Sequence, residues 1–153
     1  MSVELLGTAR RLAKASPKKP RQCDLKRSIS TAYYALFHAI AKSNADLAMG
    51  VGADRPTKAW AQTYRALDHN KAKKACISLR GLGFPVELID CGEAFVSLQQ
   101  ARHDADYDPL FRTSRQEALA CVDTAEDAMD KLKAASRRDR LAFCAVLLHD
   151  KRR

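Results

Sequence analysis

No apolar stretch in this chain is long enough to cross a bilayer. The longest, Leu141 to Leu148, falls well short of the about 20 residues that a spanning helix needs. The N-terminus has no hydrophobic leader core and opens directly on an amphipathic pattern, so neither a signal peptide nor a membrane partner is expected. There is no C-x-x-C and no paired Cys/His cluster. The five cysteines are scattered at positions 23, 76, 91, 121 and 144, which argues against a structural zinc site; no metal or cofactor is expected. Several of them fall on apolar helix faces, where cysteine acts as a small hydrophobe, and this points to a reducing cytoplasm. Gly81-Leu-Gly83 lacks the rest of a phosphate-cradling loop. Asp104, Asp106 and Asp108 imitate the opening of a calcium loop, but its glycine and glutamate positions hold Pro109 and Arg115. No internal repeat, low-complexity segment or sustained period-two alternation is present, and strands are therefore not expected.

What remains is helical. The chain has 153 residues, 46% hydrophobic and 29% charged, which suits a single domain (1–153) with a true core. Its formal charge of +9 favours polyanionic partners such as nucleic acid, although a basic surface can also be merely solvated. The basic residues gather in Lys18-Lys-Pro-Arg21, Lys71 to Lys74, Arg137-Arg-Asp-Arg140 and Lys151-Arg-Arg153. The expected architecture is an all-α, up-and-down bundle of about five helices. Its segments begin with Val3 to Ala15, capped by Ser2, and Gln22 to Ala45. They continue with Thr57 to His69, Lys71 to Leu79, and Val86 to about Asp106. Thr113-Ser-Arg-Gln116 has capping-box spacing and opens a long helix. Ser136 to Asp139 caps a last helix or an exposed turn of one continuous helix. Leu141 to Leu148, apolar nearly all round, should be covered on more than one side.

One stretch carries chemistry. Leu88, Cys91, Phe95 and Leu98 share a face at helical spacing, and the next residues on it are Arg102 and Asp106. A guanidinium ending an inward stripe needs a carboxylate, an anion or another chain. The Arg102–Asp106 pair at i,i+4 answers that need structurally; a bound phosphate answers it functionally. His103 and Tyr107, also i,i+4 neighbours, lie beside Arg102. An arginine next to a phenol or imidazole can bind a phosphodiester and stabilise pentavalent charge. RNA cleavage needs little more, since the 2′-hydroxyl is an internal nucleophile and no metal is required. A second stripe, Arg27, Thr31, Tyr34 and His38, lies opposite Ile29, Leu36 and Ile40. It is either a solvated face or an interface, where bulky half-apolar groups such as Tyr34 and His38 collect.

Two segments resemble the HEPN superfamily (higher eukaryotes and prokaryotes nucleotide-binding domains). Leu25-Lys-Arg-Ser-Ile-Ser-Thr-Ala-Tyr-Tyr-Ala-Leu-Phe-His-Ala-Ile40 is similar to its second-helix pattern, and Ala101-Arg-His-Asp-Ala-Asp-Tyr-Asp108 to its R-x-x-A-D-Y-D segment. The resemblance covers residues 3–132; residues 137–150 look like a helical extension. It implies a homodimer whose motif arginines meet at a shared cleft lined by Tyr34, His38, Asp106 and Arg27. The implied activity is RNA binding or processing, with metal-independent endoribonucleases of toxin–antitoxin or defence systems among the members. Cognate antitoxins or small nucleotidyltransferases are the implied partners, and a non-catalytic dimeric interaction module is the alternative. Arg102 matches the family's catalytic arginine. The histidine that should follow after four to six residues does not carry over: Tyr107 stands at its first place, and His103 is adjacent to the arginine. Arg102, Tyr107 and His103 are accordingly the catalytic candidates.

Overall fold

Seven helices and no strand are formed by residues 1–150, the part that the computed structural model describes. The basic triplet Lys151 to Arg153 lies outside the described residues. In chain order the helices are α1 (Ser2–Ala13), α2 (Gln22–Met49), α3 (Thr57–Arg65), α4 (His69–Ser78), α5 (Val86–Tyr107), α6 (Arg115–Ala134) and α7 (Arg137–Leu148). The all-α class agrees with the expectation; the count exceeds the five or so expected. No helix among the described residues is long and apolar enough to cross a membrane.

Local capping sets the breaks. The Asp68 carboxylate accepts from the amides of Asn70 and Lys71 at 3.0 and 2.9 Å, so α4 starts at His69, a residue the periodicity assigns to the end of α3. Ala135 is extended and the Ser136 hydroxyl accepts from the Asp139 amide at 3.0 Å, which makes α7 a helix of its own. The capping box stands one residue later than expected. Ser114 and Glu117 exchange its two bonds at 3.1 and 2.7 Å. Thr113 is diverted, its amide donating to Gln22 at 3.1 Å. Ser2 caps nothing: it is the first helical residue of α1, with Met1 before it.

The core is built around α2, which packs along α1, α3, α5, α6 and α7 and meets the first residue of α4. Its buried Leu25, Ile29, Tyr33, Leu36 and Ile40 repeat at three and four residues, the helical period. Against Tyr33, Leu36 and Ile40 pack Leu6 and Ala9 of α1, Leu88, Cys91, Phe95 and Leu98 of α5, and Val122, Met129 and Leu132 of α6, while Leu25 and Ile29 pack with Ala13, Ala105 and Ala118 in a smaller cluster. The buried Ser28 of α2 finds a backbone partner, donating to the Ala9 carbonyl at 2.7 Å. On α7, Phe143 and Leu147 enter this same core, while Leu141 is 43% exposed. α7 thus has two helices, α2 and α4, packed against it, and its outer face at Leu141, Ala142 and Ala145 is open.

α5 packs tightly on the end of α4 at Gly92. A Cβ there would stand 2.7 Å from Leu79 Cδ1 and 3.2 Å from Cys76 Cβ, both buried. Alanine normally favours a helix interior over glycine by about 1 kcal/mol. Here overpacking outweighs that gain, and Gly92→Ala should destabilise by about 1 kcal/mol or more. Thermal melts followed by circular dichroism check it; an unchanged or raised Tm would show that this helix pair has slack.

Candidate functional site

The apolar stripe of α5 ends, as its spacing predicts, on Arg102, whose side chain is only 12% exposed. Its guanidinium carbon lies 5.3 Å from the ring centre of Tyr33, 5.6 Å from that of Tyr34 and 5.8 Å from that of Tyr107. All three are within cation–π range. The pairing with Asp106 is loose: Nε to Oδ2 is 3.8 Å, beyond hydrogen-bond distance. Arg102 Nε is buried and has no hydrogen-bond partner among the described residues. Asp106 is engaged elsewhere, its Oδ2 accepting from the Ser30 hydroxyl of α2 at 3.2 Å. The charge is therefore seated on aromatic faces more than on a carboxylate.

Two residues of α2 supply most of that seat. Tyr33 is fully buried and Tyr34 half-buried, their rings meeting edge to face at 5.3 Å. Behind Tyr33 stands His69, the first residue of α4, with Nδ1 2.5 Å from the Tyr33 hydroxyl. Its ring stacks on Phe37 at 4.3 Å, and Gln99 of α5 donates to its carbonyl at 3.2 Å. Burial first, and the Arg102 charge second, hold the His69 imidazole below its ordinary range; burial raises the Tyr33 phenol.

The remaining candidates divide. His103 and Tyr107 pair on the exposed flank with ring centres 5.0 Å apart, and Tyr107 is 65% exposed. His38 bonds to α3. Its Nδ1 meets the Tyr64 hydroxyl at 2.7 Å, the two rings stack at 5.8 Å, and burial lowers its pKa. The stripe opposite the core is thus neither wholly solvated nor wholly part of one site, because α3 covers His38. Arg27 is exposed two turns before Tyr34, its carbonyl bonded by the Thr31 hydroxyl at 2.7 Å. Among the described residues no group of three or more His, Cys, Asp or Glu side chains is placed to hold a metal. The thiols of Cys76 and Cys91 are buried, that of Cys91 pushed up to about 12, and they belong to the packing.

Tyr33, His69 and Gln99 are the members of this cluster that periodicity misses. Tyr33 counts as core by spacing, and His69 falls at the boundary that Asp68 moves. The available signal was Asp68 itself, a strong N-cap residue immediately before the histidine. The chain matches no family model, no curated protein and no solved structure.

Both His38 and His69 are held neutral in the fold, below the ordinary value of 6.5. Below that value the unfolded chain binds more protons than the native one. Their stabilisation is therefore complete above about pH 6.5 and is lost as pH falls toward the depressed native values, at up to about 1.4 kcal/mol per pH unit for each group. Thermal denaturation from about pH 8 to 5 should show Tm falling across this window. The fall should be shallower in His69→Phe. A Tm flat through the window in the native chain would contradict neutral burial of the two imidazoles.

Proposed function

We propose that this chain is a HEPN-type RNA-binding protein in which Arg102 anchors a backbone phosphate at the end of α5. One observation carries the reading: a nearly buried guanidinium is seated on three tyrosine rings, its Nε unpartnered and its nearest carboxylate 3.8 Å away. A phosphodiester offers what Asp106 does not, since two of its oxygens match the planar donor fork of arginine. The net charge of +9 draws the polyanion in, and the exposed His103 and Tyr107 flank the position it would take. The same arrangement serves metal-independent cleavage. The ribose 2′-hydroxyl attacks the adjacent phosphorus and the bond to the 5′-oxygen breaks, leaving a 2′,3′-cyclic phosphate; Arg102 stabilises the developing charge, and His103 or Tyr107 exchanges protons with the 2′-oxygen and the departing 5′-oxygen. A toxin–antitoxin or defence role, with an antitoxin or nucleotidyltransferase as partner, goes with this reading.

A second reading is favoured by a separate observation. Tyr107, which borders Arg102, is 65% exposed, and Leu110, three residues further along the chain, is 85% exposed. A second copy of the chain laid across that edge would form a non-catalytic dimeric module with Arg102 at its centre.

Fluorescence titration of labelled single-stranded RNA separates the two. The native chain should bind at low salt and weaken steeply as salt is added, because phosphate contacts release counterions. Arg102→Ala should lower the affinity roughly tenfold or more, the worth of a charge-assisted hydrogen bond. It should cost only about 1–2 kcal/mol of stability, because Asp106 keeps Ser30 and the lost contacts are ring faces. Incubating RNA with the protein in EDTA tests cleavage, and light scattering tests dimerisation. A dimer without RNA binding at low salt would leave the interaction module.

A further inference from the structure

Tyr33 is fully buried, and its hydroxyl proton must go to an acceptor. The partner within reach is His69 Nδ1 at 2.5 Å. With the phenol donating, the neutral imidazole carries its own proton on Nε2. Burial keeps the proton on Tyr33, and burial together with the Arg102 charge keeps His69 neutral, so this tautomer is the resting one. The ring is also held in place, stacked on Phe37 at 4.3 Å, with the first turn of α4 tied to α5 through Gln99. Nε2 has no bonded partner among the described residues. The Asn70 and Lys71 amides of this first turn are already taken by the Asp68 carboxylate, whereas the imidazole Nε2–H is not. The Arg102 charge is near enough to act on this imidazole, and the two groups share their aromatic neighbours. The Tyr34 ring centre is 5.6 Å from the Arg102 guanidinium carbon and 6.1 Å from the His69 ring, and the two groups flank one phenol.

We infer that His69 is a phosphate-binding residue of the Arg102 site, its Nε2–H donating to an oxygen of the same phosphodiester that the guanidinium holds. The inference rests on the RNA-binding reading and adds a residue from a different helix to it. A neutral donor suits this place. A second fixed cation beside a nearly buried arginine would repel it in the free protein, whereas an N–H dipole contributes to anion binding without that cost. It also gives the site an imidazole from α4 where α5 carries Tyr107.

The test uses the same RNA titration with three variants. His69→Phe keeps a ring for stacking but has no donor, and it leaves the Tyr33 hydroxyl without an acceptor. The double variant Tyr33→Phe/His69→Phe removes that orphan group and should recover much of any lost Tm. Both should bind RNA about tenfold more weakly than the native chain. The dependence of log Kd on log salt should stay at the native slope, because a neutral donor releases no counterion; Arg102→Ala should reduce that slope by about one. His69→Phe binding like the native chain, while Arg102→Ala does not, would overturn the assignment and leave the RNA-binding reading standing. So would recovery of affinity together with Tm in the double variant, or a slope reduced in His69→Phe as much as in Arg102→Ala. Failure of the native chain to bind RNA at low salt would remove both.

Discussion

Because α2 meets all six other helices among the described residues, almost every side chain on it must be accounted for by a specific neighbour. Its inward residues follow the usual rule and pack as aliphatic groups. The turn around Tyr33 and Tyr34 is different, for it faces the end of α5, where the apolar stripe gives out, and the start of α4, where an imidazole arrives. Three helices thus meet over two adjacent phenols. Aromatic rings are among the few groups that can border a hydrophobic core on one edge and a charge on a face without losing contact with either. The bundle closes around α2 because that turn can serve both environments.

The seating of Arg102 has an energetic reading. A loose i,i+4 ion pair near solvent contributes a few tenths of a kcal/mol, and each cation–π contact at such a position about 0.5–1 kcal/mol. Against these stands a buried guanidinium nitrogen with no bonded partner, which costs about 1–3 kcal/mol. The terms come close to cancelling. A residue that neither stabilises the fold much nor finds a full set of partners within it is where function is sought, since chains tolerate locally unfavourable groups chiefly at sites that act on something else.

How much of this was legible in the sequence depends on the distance over which each signal acts. Helical periodicity is local and robust. It gave the α class, the inner faces of α2 and α5, and the place of Arg102 at the end of a buried stripe. Boundaries rest on single side chains competing for a few backbone amides, and there the pattern slipped, by one residue at Ser114 and more consequentially at Asp68. The cluster around Arg102 was half visible. Tyr107 and Asp106 follow from i,i+4 spacing and Tyr34 from the stripe on α2, but Ser30, which engages Asp106, lies 76 residues away in the chain. His69 joins α4 to α2, and only the packing of one against the other reveals that its neighbour is Tyr33. His38 shows the converse, since a position that looks outward on a helical wheel is covered by Tyr64 of a short helix whose placement no periodicity fixes.

The last helix has an influence out of proportion to its position. Phe143 and Leu147 of α7 are set into the shared core, Phe143 meets Phe84 edge to face at 6.4 Å, and Lys71 reaches Asp150 at 3.0 Å. It therefore acts as a buttress for α4. A chain cut at the end of α6 would keep Arg102 and every tyrosine around it, yet lose the wall against which α4, and the imidazole at its tip, is braced. The order of the site is in this sense set from behind, by a segment that contributes no residue to it.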